Sequence, residues 1–514
     1  MAKKVRVRFA PSPTGGLHLG GVRTVLYNYL FARQQGGDFV LRIEDTDQTR
    51  FVPGAEEYIY ECLKWCGLTP DESPLAGGPY APYRQSERKA LYREYAEFLV
   101  QEGKAYYAFD RPEELESFRE RFKTAENPSP QYDHKVRQQM RNSCSLTFEE
   151  TERMLADGVP YVIRIRMPEN ETVSFTDMIR GEVSFNTSLV DDKVLLKADG
   201  MPTYHLAVVV DDYLMKITHA FRGEEWLPSA PVHVLLWKYL GWEAEMPQWA
   251  HLPLILKPDG NGKLSKRDGD RLGFPVFAMN WTVPAKDDKP EELIKGFREL
   301  GFMPEAFVNL LAMLGWNDGT DQELFTLDEL KEKFSMDRVH KGGAKFDFEK
   351  AKWFNHEWIK KSDVARLKPD VKQIFDQHGL TAVDEKLDKV IALVKERCTL
   401  LTDFIEQAKF FFQTPQQWDL DAIKPKWNDA KQAFFGDVIT YFQNSTSWHS
   451  HTDLENGFKE LAAAKQIKAG EVLLPLRIML VGGKFGPGVF DIASIIGKEE
   501  TINRISQVLD KLKA

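Results

Sequence analysis

Residues 11–21 read Pro11-Ser12-Pro13-Thr14-Gly15-Gly16-Leu17-His18-Leu19-Gly20-Gly21, a turn-rich stretch between two periodic segments. In residues 4–10, which precede it, apolar and basic side chains alternate, and this period of two predicts a β-strand. After it, apolar residues recur every four positions from Val22 to Leu30, and Gly36 follows. That pattern predicts a helix with a glycine stop. The order is therefore strand, glycine-rich turn and helix.

A second strand is predicted at residues 39–43, where a short apolar run ends in Glu44-Asp45-Thr46-Asp47. Strand, helix and strand form a right-handed crossover that joins parallel strands, and ligands bind outside the carboxyl ends of such strands. Here those ends carry residues 12–21 and 44–47. We therefore expect an α/β sheet whose ligand site contains both segments.

The glycine-rich turn lies where a phosphate group would meet the free N–H groups of a helix N-terminus. The dinucleotide-binding pattern fails, because Leu17 stands two residues after Gly15 where glycine is required. The P-loop pattern fails as well, because Gly21-Val22 stands where Lys-Ser or Lys-Thr is required. What remains distinctive is His18, which either donates hydrogen bonds to ATP phosphates or only caps the helix.

A second candidate segment lies far along the chain. Gly260-Asn261-Gly262 predicts a mobile turn directly before Lys263-Leu264-Ser265-Lys266-Arg267. Alone, such a short basic run is typical of a solvated surface. Together with the His18 turn, it indicates that both segments meet one nucleoside triphosphate.

Composition excludes several classes of protein. The chain has 514 residues, of which 43% are hydrophobic and 28% charged, so it is neither a small disulfide scaffold nor a disordered chain. Its net charge of −9 argues against indiscriminate coating of nucleic acid, although local basic patches can still hold one. No run approaches the roughly 20 apolar residues of a bilayer helix, and no apolar signal region begins the chain. We expect a soluble, cytoplasmic protein.

The four cysteines form no CxxC pair. Cys62 and Cys66 lie four apart on a helix predicted over residues 54–67, and Ile59 and Leu63 share their face. This favours buried thiols on an apolar stripe. The alternative is a metal site.

The chain changes character twice. Residues 105–200 mix charge-rich helix with short strands, which predicts an inserted domain, and the sheet then resumes with a buried strand predicted at Tyr204 to Val210. From about residue 345, helical periodicity dominates. The predicted divisions are residues 1–104, the inserted domain at 105–200, residues 201–257 where the sheet resumes, residues 258–344 with the lysine segment, and the all-helical region 345–514.

The two signature segments, Pro11 to Gly21 and Lys263 to Arg267, resemble those of class I aminoacyl-tRNA synthetases, and the whole chain is similar to the glutamyl-tRNA synthetase family. The resemblance extends over most of the sequence. It is carried by Arg8 to Gly15, Arg42 to Asp47, Tyr83 to Ser86, Asp177 to Gly181, Asp199 to Ala207, Arg222 to Trp226, Leu310 to Trp316 and Phe346 to Lys350.

The resemblance implies a fold and an activity. The fold is α/β: a class I Rossmann-type catalytic domain (halves 1–104 and 201–257) with an inserted α/β connective domain that binds the tRNA acceptor end (105–200), followed by a stem-contact region (258–344) and an all-α C-terminal anticodon-binding module (345–514). The activity is ligation of L-glutamate to tRNA(Glu), through a glutamyl-adenylate made from ATP with Mg²⁺, by a monomer. Charging of tRNA(Gln) with glutamate stays open. So do two other functions, a glutamyl-queuosine-type tRNA ligase and a catalytically silent tRNA-binding paralogue.

The resemblance also implies roles for individual residues. Catalysis falls to His18 and Lys266, which would stabilise the transferring phosphorus, and Arg222 would bind the substrate side-chain carboxylate. A guanidinium suits that role because a carboxylate accepts its fork of donors. The alternative for Arg222 is an ion pair with Glu224 or Glu225. The implied ATP-binding residues are His18, Gly20, Gly21, Glu225, Trp226, Lys263 and Lys266, and the implied glutamate-binding residues are Arg8, Ala10, Ser12, Glu44, Tyr204 and Arg222.

The sequence departs from the family in three places. Thiolates that hold zinc in some bacterial relatives are missing around residues 105–110 and 132–136, so we expect no zinc site. Residues 272–290 resemble an insertion beside the lysine loop, and Asp268 replaces a commoner residue. In segment 338–372, basic residues exceed acidic ones, and its aromatic residues either stack on tRNA bases or belong to the core.

Overall fold

The computed structural model describes residues 3–125, 128–265, 268–285, 290–448 and 450–513. The chain forms two compact units, one made of Met1–Phe297 and Phe307–Phe348, the other of Arg298–Ala306 and Glu349–Ala514. No helix in the described part of the chain has both the length and the apolar character that a membrane crossing requires.

The strands are numbered in chain order: β1 (Arg6–Phe9), β2 (Asp38–Leu41), β3 (Ala105–Ala108), β4 (Val162–Ile165), β5 (Thr172–Asp177), β6 (Gly181–Asn186), β7 (Val194–Leu196), β8 (His219–Gly223), β9 (Gln248–Leu252), β10 (Ile255–Leu256), β11 (Trp281–Val283), β12 (Glu292–Ile294) and β13 (Ala344–Lys345). The α-helices are α1 (Leu19–Gln34), α2 (Ala55–Trp65), α3 (Lys89–Gln101), α4 (Pro112–Phe122), α5 (His134–Arg137), α6 (Phe148–Ala156), α7 (Tyr204–Leu214), α8 (Ala230–Tyr239), α9 (Asp268–Leu272), α10 (Phe297–Leu300), α11 (Pro304–Met313), α12 (Leu327–Lys333), α13 (Phe348–Lys361), α14 (Val364–Gln377), α15 (Asp384–Val394), α16 (Asp403–Phe412), α17 (Asp429–Asn444), α18 (His451–Ala464), α19 (Ala469–Val481), α20 (Val489–Ile496) and α21 (Lys498–Lys513).

The central sheet of the first unit has six strands in the order β2-β1-β8-β9-β5-β6. The first five pair in parallel, and β6 closes the edge as an antiparallel hairpin with β5. The predicted crossover is present, since α1 joins the neighbouring parallel strands β1 and β2. The carboxyl ends of β1, β2 and β8 therefore meet at one edge, and this edge carries Arg222 near the end of β8 and the segments that follow Phe9 and Leu41.

The prediction of a strand at Tyr204 to Val210 is wrong, because these residues form the first part of the helix α7. Residues 206–210 are all apolar and all buried, packed into a core shared with α3 and α8. A helix buried on most of its surface shows no period of 3.6, so its sequence resembles that of a buried strand.

The three-stranded sheet β3-β4-β7 lies within the predicted inserted domain. Its strands pair antiparallel, and α4, α5 and α6 come from the same part of the chain. The hairpin of β5 and β6 falls in that stretch of sequence too, yet it belongs to the six-stranded sheet through the pairing of Asp177 with Trp249.

The second unit is helical from α13 to α21, and its described residues include no strand. This confirms the predicted all-α C-terminal module. Asn355 on α13 is fully buried, donates to the backbone oxygens of Thr399 (2.7 Å) and Gly301 (3.2 Å), and accepts from Met303 N (2.8 Å). One side chain thus ties its own helix to two other backbone segments of this unit.

The aromatic residues of the basic segment belong mainly to the core. Phe354 and Trp358 are buried on α13, so their faces are not available to stack on bases. Trp353 is half-buried, and the ammonium group of Lys350 lies 4.0 Å from its ring centroid.

Candidate active site

Arg222 lies at the carboxyl end of β8, in the middle of the sheet edge, and is only 7% exposed. Its Nε donates to His251 Nε2 (2.9 Å), and its Nη1 donates to the Tyr204 hydroxyl (2.9 Å) and lies 3.0 Å from His233 Nδ1. Its buried Nη2 has no hydrogen-bond partner within the described ranges. The guanidinium therefore contacts neutral groups and keeps one nitrogen, with two N–H donors, for a ligand.

The alternative of an ion pair between Arg222 and a neighbouring glutamate is wrong. Glu224 accepts hydrogen bonds from Arg180 and from Leu254 N, the latter at 3.1 Å. Glu225 pairs with Lys263 at 2.6 Å. Both carboxylates are engaged elsewhere, and no carboxylate of the described chain lies within ion-pair distance of Arg222.

Glu44, which follows β2, forms part of a buried ion network on the same edge. Arg42 is completely buried and donates to Glu44 Oε1 (3.0 Å) and to Asp212 Oδ1 (2.8 Å). Arg8 on β1 donates to the same Asp212 oxygen at 3.1 Å. Burial raises the pKa of Glu44, while Arg42 and Arg8 act in the opposite direction. Arg42, itself held by Asp212 together with Arg8, thus fixes the Glu44 side chain beside β1.

Ala10 and Ser12 are placed by backbone pairing. Arg42 N donates to Phe9 O (3.0 Å), and Glu44 N donates to Pro11 O (2.9 Å), so the segment after β1 runs beside the segment after β2. The predicted glutamate residues Arg8, Ala10, Ser12 and Glu44 consequently come from adjacent segments of one edge.

Tyr204 connects this region to the residues predicted to bind ATP. Its hydroxyl accepts from Arg222, and its ring centroid lies 4.7 Å from that of Trp226. Trp226 is 43% exposed, so one large aromatic surface of the site faces outward. Burial raises the pKa of Tyr204, and Arg222 partly offsets that shift. The hydroxyl stays protonated at neutral pH, and its hydrogen can be donated to a second acceptor.

His18 is the N-cap residue of α1, and its Nδ1 accepts from Gly20 N at 3.1 Å. This geometry leaves the ring hydrogen on Nε2. A Cβ added at Gly20 would meet only His18, at 3.7 Å, and one added at Gly21 would meet only Leu17, at 3.6 Å. The capping function of His18 is therefore real, and it coexists with an uncrowded first turn at the amino end of the helix.

The predicted insertion forms one wall of the His18 turn. Val276 O accepts from Leu19 N (3.0 Å), and the Tyr58 hydroxyl donates to Met279 O (2.8 Å). A Cβ on Gly16 would lie 2.8 Å from the Phe277 ring, so this glycine allows the wall to approach. The beginning of the insertion thus packs on the turn, while residues 286–289 lie outside the described residues.

The lysine segment begins as a tight hairpin. Lys257 N donates to Gly262 O (3.0 Å) and Leu264 N donates to Ile255 O (2.8 Å), while Gly260 and Gly262 have positive φ angles of 80° and 88°. The turn predicted at residues 260–262 is confirmed. Lys266 and Arg267 lie outside the described residues.

The carboxylate of Asp268, which departs from the commoner family residue, has defined partners in the structure. Its carboxylate accepts from Ser265 N (2.8 Å) and from Ser265 Oγ (2.6 Å), and Arg271 and Lys257 lie within ion-pair distance. These hydrogen bonds hold the pKa of Asp268 well below its usual range. The residue therefore ties the last described residue of the lysine segment to the start of α9.

Three residues at the site were not predicted from sequence: Asp177, His233 and His251. Asp177 lies within a segment that carries the family resemblance, but nothing in its sequence context assigns it a role. His251 is the register partner of Arg222 across the parallel pair β8 and β9. Only strand pairing reveals that neighbour.

Cys62 is fully buried and Cys66 is 4% exposed, so the predicted buried pair is confirmed, and burial raises the pKa of the Cys66 thiol. Across the described ranges, no group of three or more His, Cys, Asp or Glu side chains is arranged to hold a metal ion.

Two family models match the chain. The catalytic-domain model "tRNA synthetases class I (E and Q)" matches residues 4–353, and "Anticodon binding domain" matches residues 356–509. Among curated proteins, the glutamate–tRNA ligase of Flavobacterium johnsoniae is 51% identical over 512 residues, covering 100% of both chains. That of Porphyromonas gingivalis strain W83 is 50% identical over 511 residues, covering 99% of each.

Solved structures agree with these sequence matches. A glutamate tRNA ligase from Elizabethkingia meningosepticum, solved in complex with its amino acid, has a TM-score of 0.93 and 48% identity, covering 99% of this chain and 100% of that one. A glutamate–tRNA synthetase from Elizabethkingia anophelis has a TM-score of 0.90 at the same identity, with the same coverage of both chains.

Proposed function

Because this chain belongs to the class I tRNA synthetase family for glutamate and glutamine, we propose that the pocket around Arg222 selects glutamate for ligation to tRNA(Glu). The activity is that of a glutamate–tRNA ligase. In the first step, an α-carboxylate oxygen of glutamate attacks the α-phosphorus of ATP, bound as its magnesium complex, and pyrophosphate leaves. In the second, the terminal 2′-hydroxyl of the tRNA takes the glutamyl group and AMP leaves.

The observation that carries the proposal is the uncompensated charge of Arg222. A buried guanidinium with only neutral partners attracts an anion strongly, because no protein carboxylate competes for it. Nη2 of Arg222 and the Tyr204 hydroxyl hydrogen then donate to the γ-carboxylate of glutamate. Glutamine would direct its own NH₂ donors at the guanidinium donors, and the neutral amide gains no charge attraction.

Glu44 is placed to bind the other end of the substrate, its α-ammonium group. In this proposal its carboxylate accepts from the α-ammonium group, with Arg8, Ala10 and Ser12 beside it. Burial raises the pKa of Glu44, and a bound ammonium group would supply the cation that favours the ionised carboxylate, which supports this role.

ATP is assigned to the His18 side of the edge. His18 Nε2–H would donate to phosphate oxygens as charge develops during transfer, and Gly20 and Gly21 leave the helix N-terminus accessible. Trp226 and Glu225 would line the adenosine site. Lys263, and Lys266 by resemblance, would bring positive charge to the phosphates.

The contact between α1 and the start of the lysine hairpin supports one shared nucleotide site. Arg23, five residues after His18, donates to the backbone oxygen of Pro253 and to that of Leu314, the latter at 2.8 Å. Pro253 lies two residues before the hairpin strand β10. The helix that begins at the His18 turn is thereby held by hydrogen bonds to the segment that leads into the lysine hairpin, within the first unit.

The tRNA contacts are assigned by region. We propose that residues 105–200 hold the acceptor end, 258–344 contact the stem and 345–514 bind the anticodon, in agreement with the "Anticodon binding domain" match over residues 356–509. Monomeric state, cytoplasmic location and the absence of a zinc site remain part of the proposal.

An ATP–pyrophosphate exchange assay with glutamate, run with and without unmodified tRNA(Glu) transcript, tests the function. We expect exchange that depends on tRNA, and glutamate attached at the 3′ end of the transcript. Exchange without attachment to the transcript would favour the glutamyl-queuosine-type ligase. No exchange under any condition would favour the silent tRNA-binding paralogue.

A further inference from the structure

Arg222 is held on two sides by buried histidines that are themselves anchored. On one side, His251 Nε2 accepts from Arg222 Nε (2.9 Å), and His251 Nδ1 lies 2.6 Å from Asp177 Oδ2. On the other, His233 Nδ1 lies 3.0 Å from Arg222 Nη1, and His233 Nε2 lies 3.2 Å from His205 Nδ1. A continuous line of side chains therefore runs from Asp177 through the guanidinium to His205.

The chemistry of arginine fixes the tautomer of both histidines. A guanidinium only donates, so each ring nitrogen that faces it must be unprotonated. His251 consequently carries its hydrogen on Nδ1 and donates it to Asp177, while His233 carries its hydrogen on Nε2 and donates it to His205. Each ring is neutral in this arrangement.

Asp177 is itself rigidly placed at the end of β5. One carboxylate oxygen accepts from Ile179 N and Arg180 N, both at 2.9 Å, and the other accepts from His251 N at 3.0 Å as well as from the His251 ring. Burial acts to raise the pKa of Asp177, but these hydrogen bonds prevail and lower it. The carboxylate is ionised and selects the Nδ1–H tautomer of His251.

The environment keeps the histidines uncharged. Burial lowers the pKa of His233 and of His251, and it lowers the pKa of His205 to about 4. The positive charge of Arg222 contributes in the same direction for all three.

We propose that Asp177, His251 and His233 are positioning residues that aim Nη2 of Arg222 at the substrate γ-carboxylate while leaving the guanidinium charge unneutralised, and so set the preference for glutamate over glutamine. The proposal rests on the function assigned to Arg222 above. The contrast with other buried arginines of the sheet supports it. Arg8 and Arg42 are oriented by carboxylates, which cancel their charge, whereas Arg222 is oriented by neutral acceptors.

Paired substitutions separate positioning from simple packing. In His251→Gln, the amide oxygen can take the place of Nε2, and in His233→Asn it can take the place of Nδ1, so both variants keep an acceptor for Arg222. His251→Leu and His233→Leu fill similar space without one. His219→Leu, on β8 three residues before Arg222 and outside this line, serves as the control.

The full-length variants are assayed for tRNA charging, with kcat/KM for glutamate, KM for ATP and competition by glutamine as readouts. We expect the leucine variants to lose about 10- to 100-fold in kcat/KM for glutamate and to be inhibited by glutamine at lower concentration, with KM for ATP nearly unchanged. The glutamine and asparagine variants should recover most of the loss. His219→Leu should keep the wild-type preference.

Two outcomes would overturn the proposal: equal losses in the acceptor-keeping and leucine variants, or an unchanged glutamate preference in folded leucine variants. Thermal unfolding of each variant, followed by circular dichroism, shows whether it is folded. If a leucine variant is unfolded, its acceptor-keeping partner is compared with wild type. Near-wild-type kcat/KM for glutamate in that partner supports the proposal, and a large loss overturns it. If the histidine variants contradict this proposal while Arg222→Met still loses glutamate charging, the proposed function stands. Indifference of glutamate use to Arg222→Met would refute the pocket assignment itself.

Discussion

Replacing Arg222 tests the assignment of the pocket most directly. Arg222→Met keeps much of the length and apolar stem of the side chain but removes the guanidinium, together with its donors to Tyr204, His233 and His251. Arg222→Lys keeps the charge but replaces the planar fork with a single ammonium group, which cannot satisfy the same acceptors.

The expected loss follows from burial. With 7% of Arg222 exposed, its contact with a γ-carboxylate is shielded from water. Removing one partner of a buried charge pair costs about 3–5 kcal/mol. Since about 1.4 kcal/mol corresponds to a factor of ten, kcat/KM for glutamate should fall roughly 100- to 5,000-fold in Arg222→Met. Arg222→Lys should fall between wild type and this variant.

The assay is steady-state charging of tRNA(Glu) at varied glutamate and at varied ATP, with ATP binding measured separately by equilibrium dialysis. KM for ATP should change by less than about threefold, because the side chains that Arg222 contacts directly, Tyr204, His233 and His251, are not among the residues assigned to ATP. Arg33→Met is a matched control, since Arg33 pairs with Asp71 away from the pocket and should retain wild-type kinetics. Equal losses in glutamate use and in ATP binding would refute the assignment of Arg222 to the γ-carboxylate.

Three further predictions test the structure around the pocket and in the second unit. Gly16→Ala should lower the free energy of unfolding by about 1–3 kcal/mol and raise KM for ATP, because its methyl group would overlap Phe277 and displace the wall of the His18 turn; unchanged unfolding and kinetics would contradict this packing. The free energy of unfolding should decrease as pH falls from about 6.5 to about 4, because burial lowers the pKa of His205 from 6.5 to about 4 and the unfolded chain therefore binds more protons in that range; denaturant titrations at several pH values should show a shallower decrease in His205→Gln. Asn355→Leu should destabilise the second unit by about 2–4 kcal/mol, since Met303 N and Thr399 O lose their side-chain partner and Gly301 O keeps only its bond from Leu401 N; limited proteolysis should then cut residues 349–513 first, and wild-type resistance would count against the interpretation.

The sequence predicted most of the fold wherever local pattern and tertiary position agree. The alternation in residues 4–10, the four-residue period of α1 and the short apolar run after Gly37 each gave the right element, because a regular period or a glycine boundary marks each of them in the local sequence. Residues 204–210 failed for the opposite reason. Buried on most sides, α7 carries no polar stripe from which a helical period could be read.

For the candidate site, the sequence by itself determined the chemical inventory: a histidine in a glycine-rich turn, an acidic segment after β2, an arginine at the end of β8 and a lysine hairpin. The spacing of such residues along the chain is local information, and it was sufficient to indicate the family.

Only the tertiary structure decided what surrounds Arg222. Asp177 and His251 are 74 residues apart, and they meet because β5 and β9 are parallel neighbours in the sheet. The register of β8 against β9 then sets His251 opposite Arg222, and the helix α8 supplies His233. Sheet register depends on which distant strands pair, so the uncompensated charge at the centre of the pocket follows from long-range packing rather than from any local run of residues.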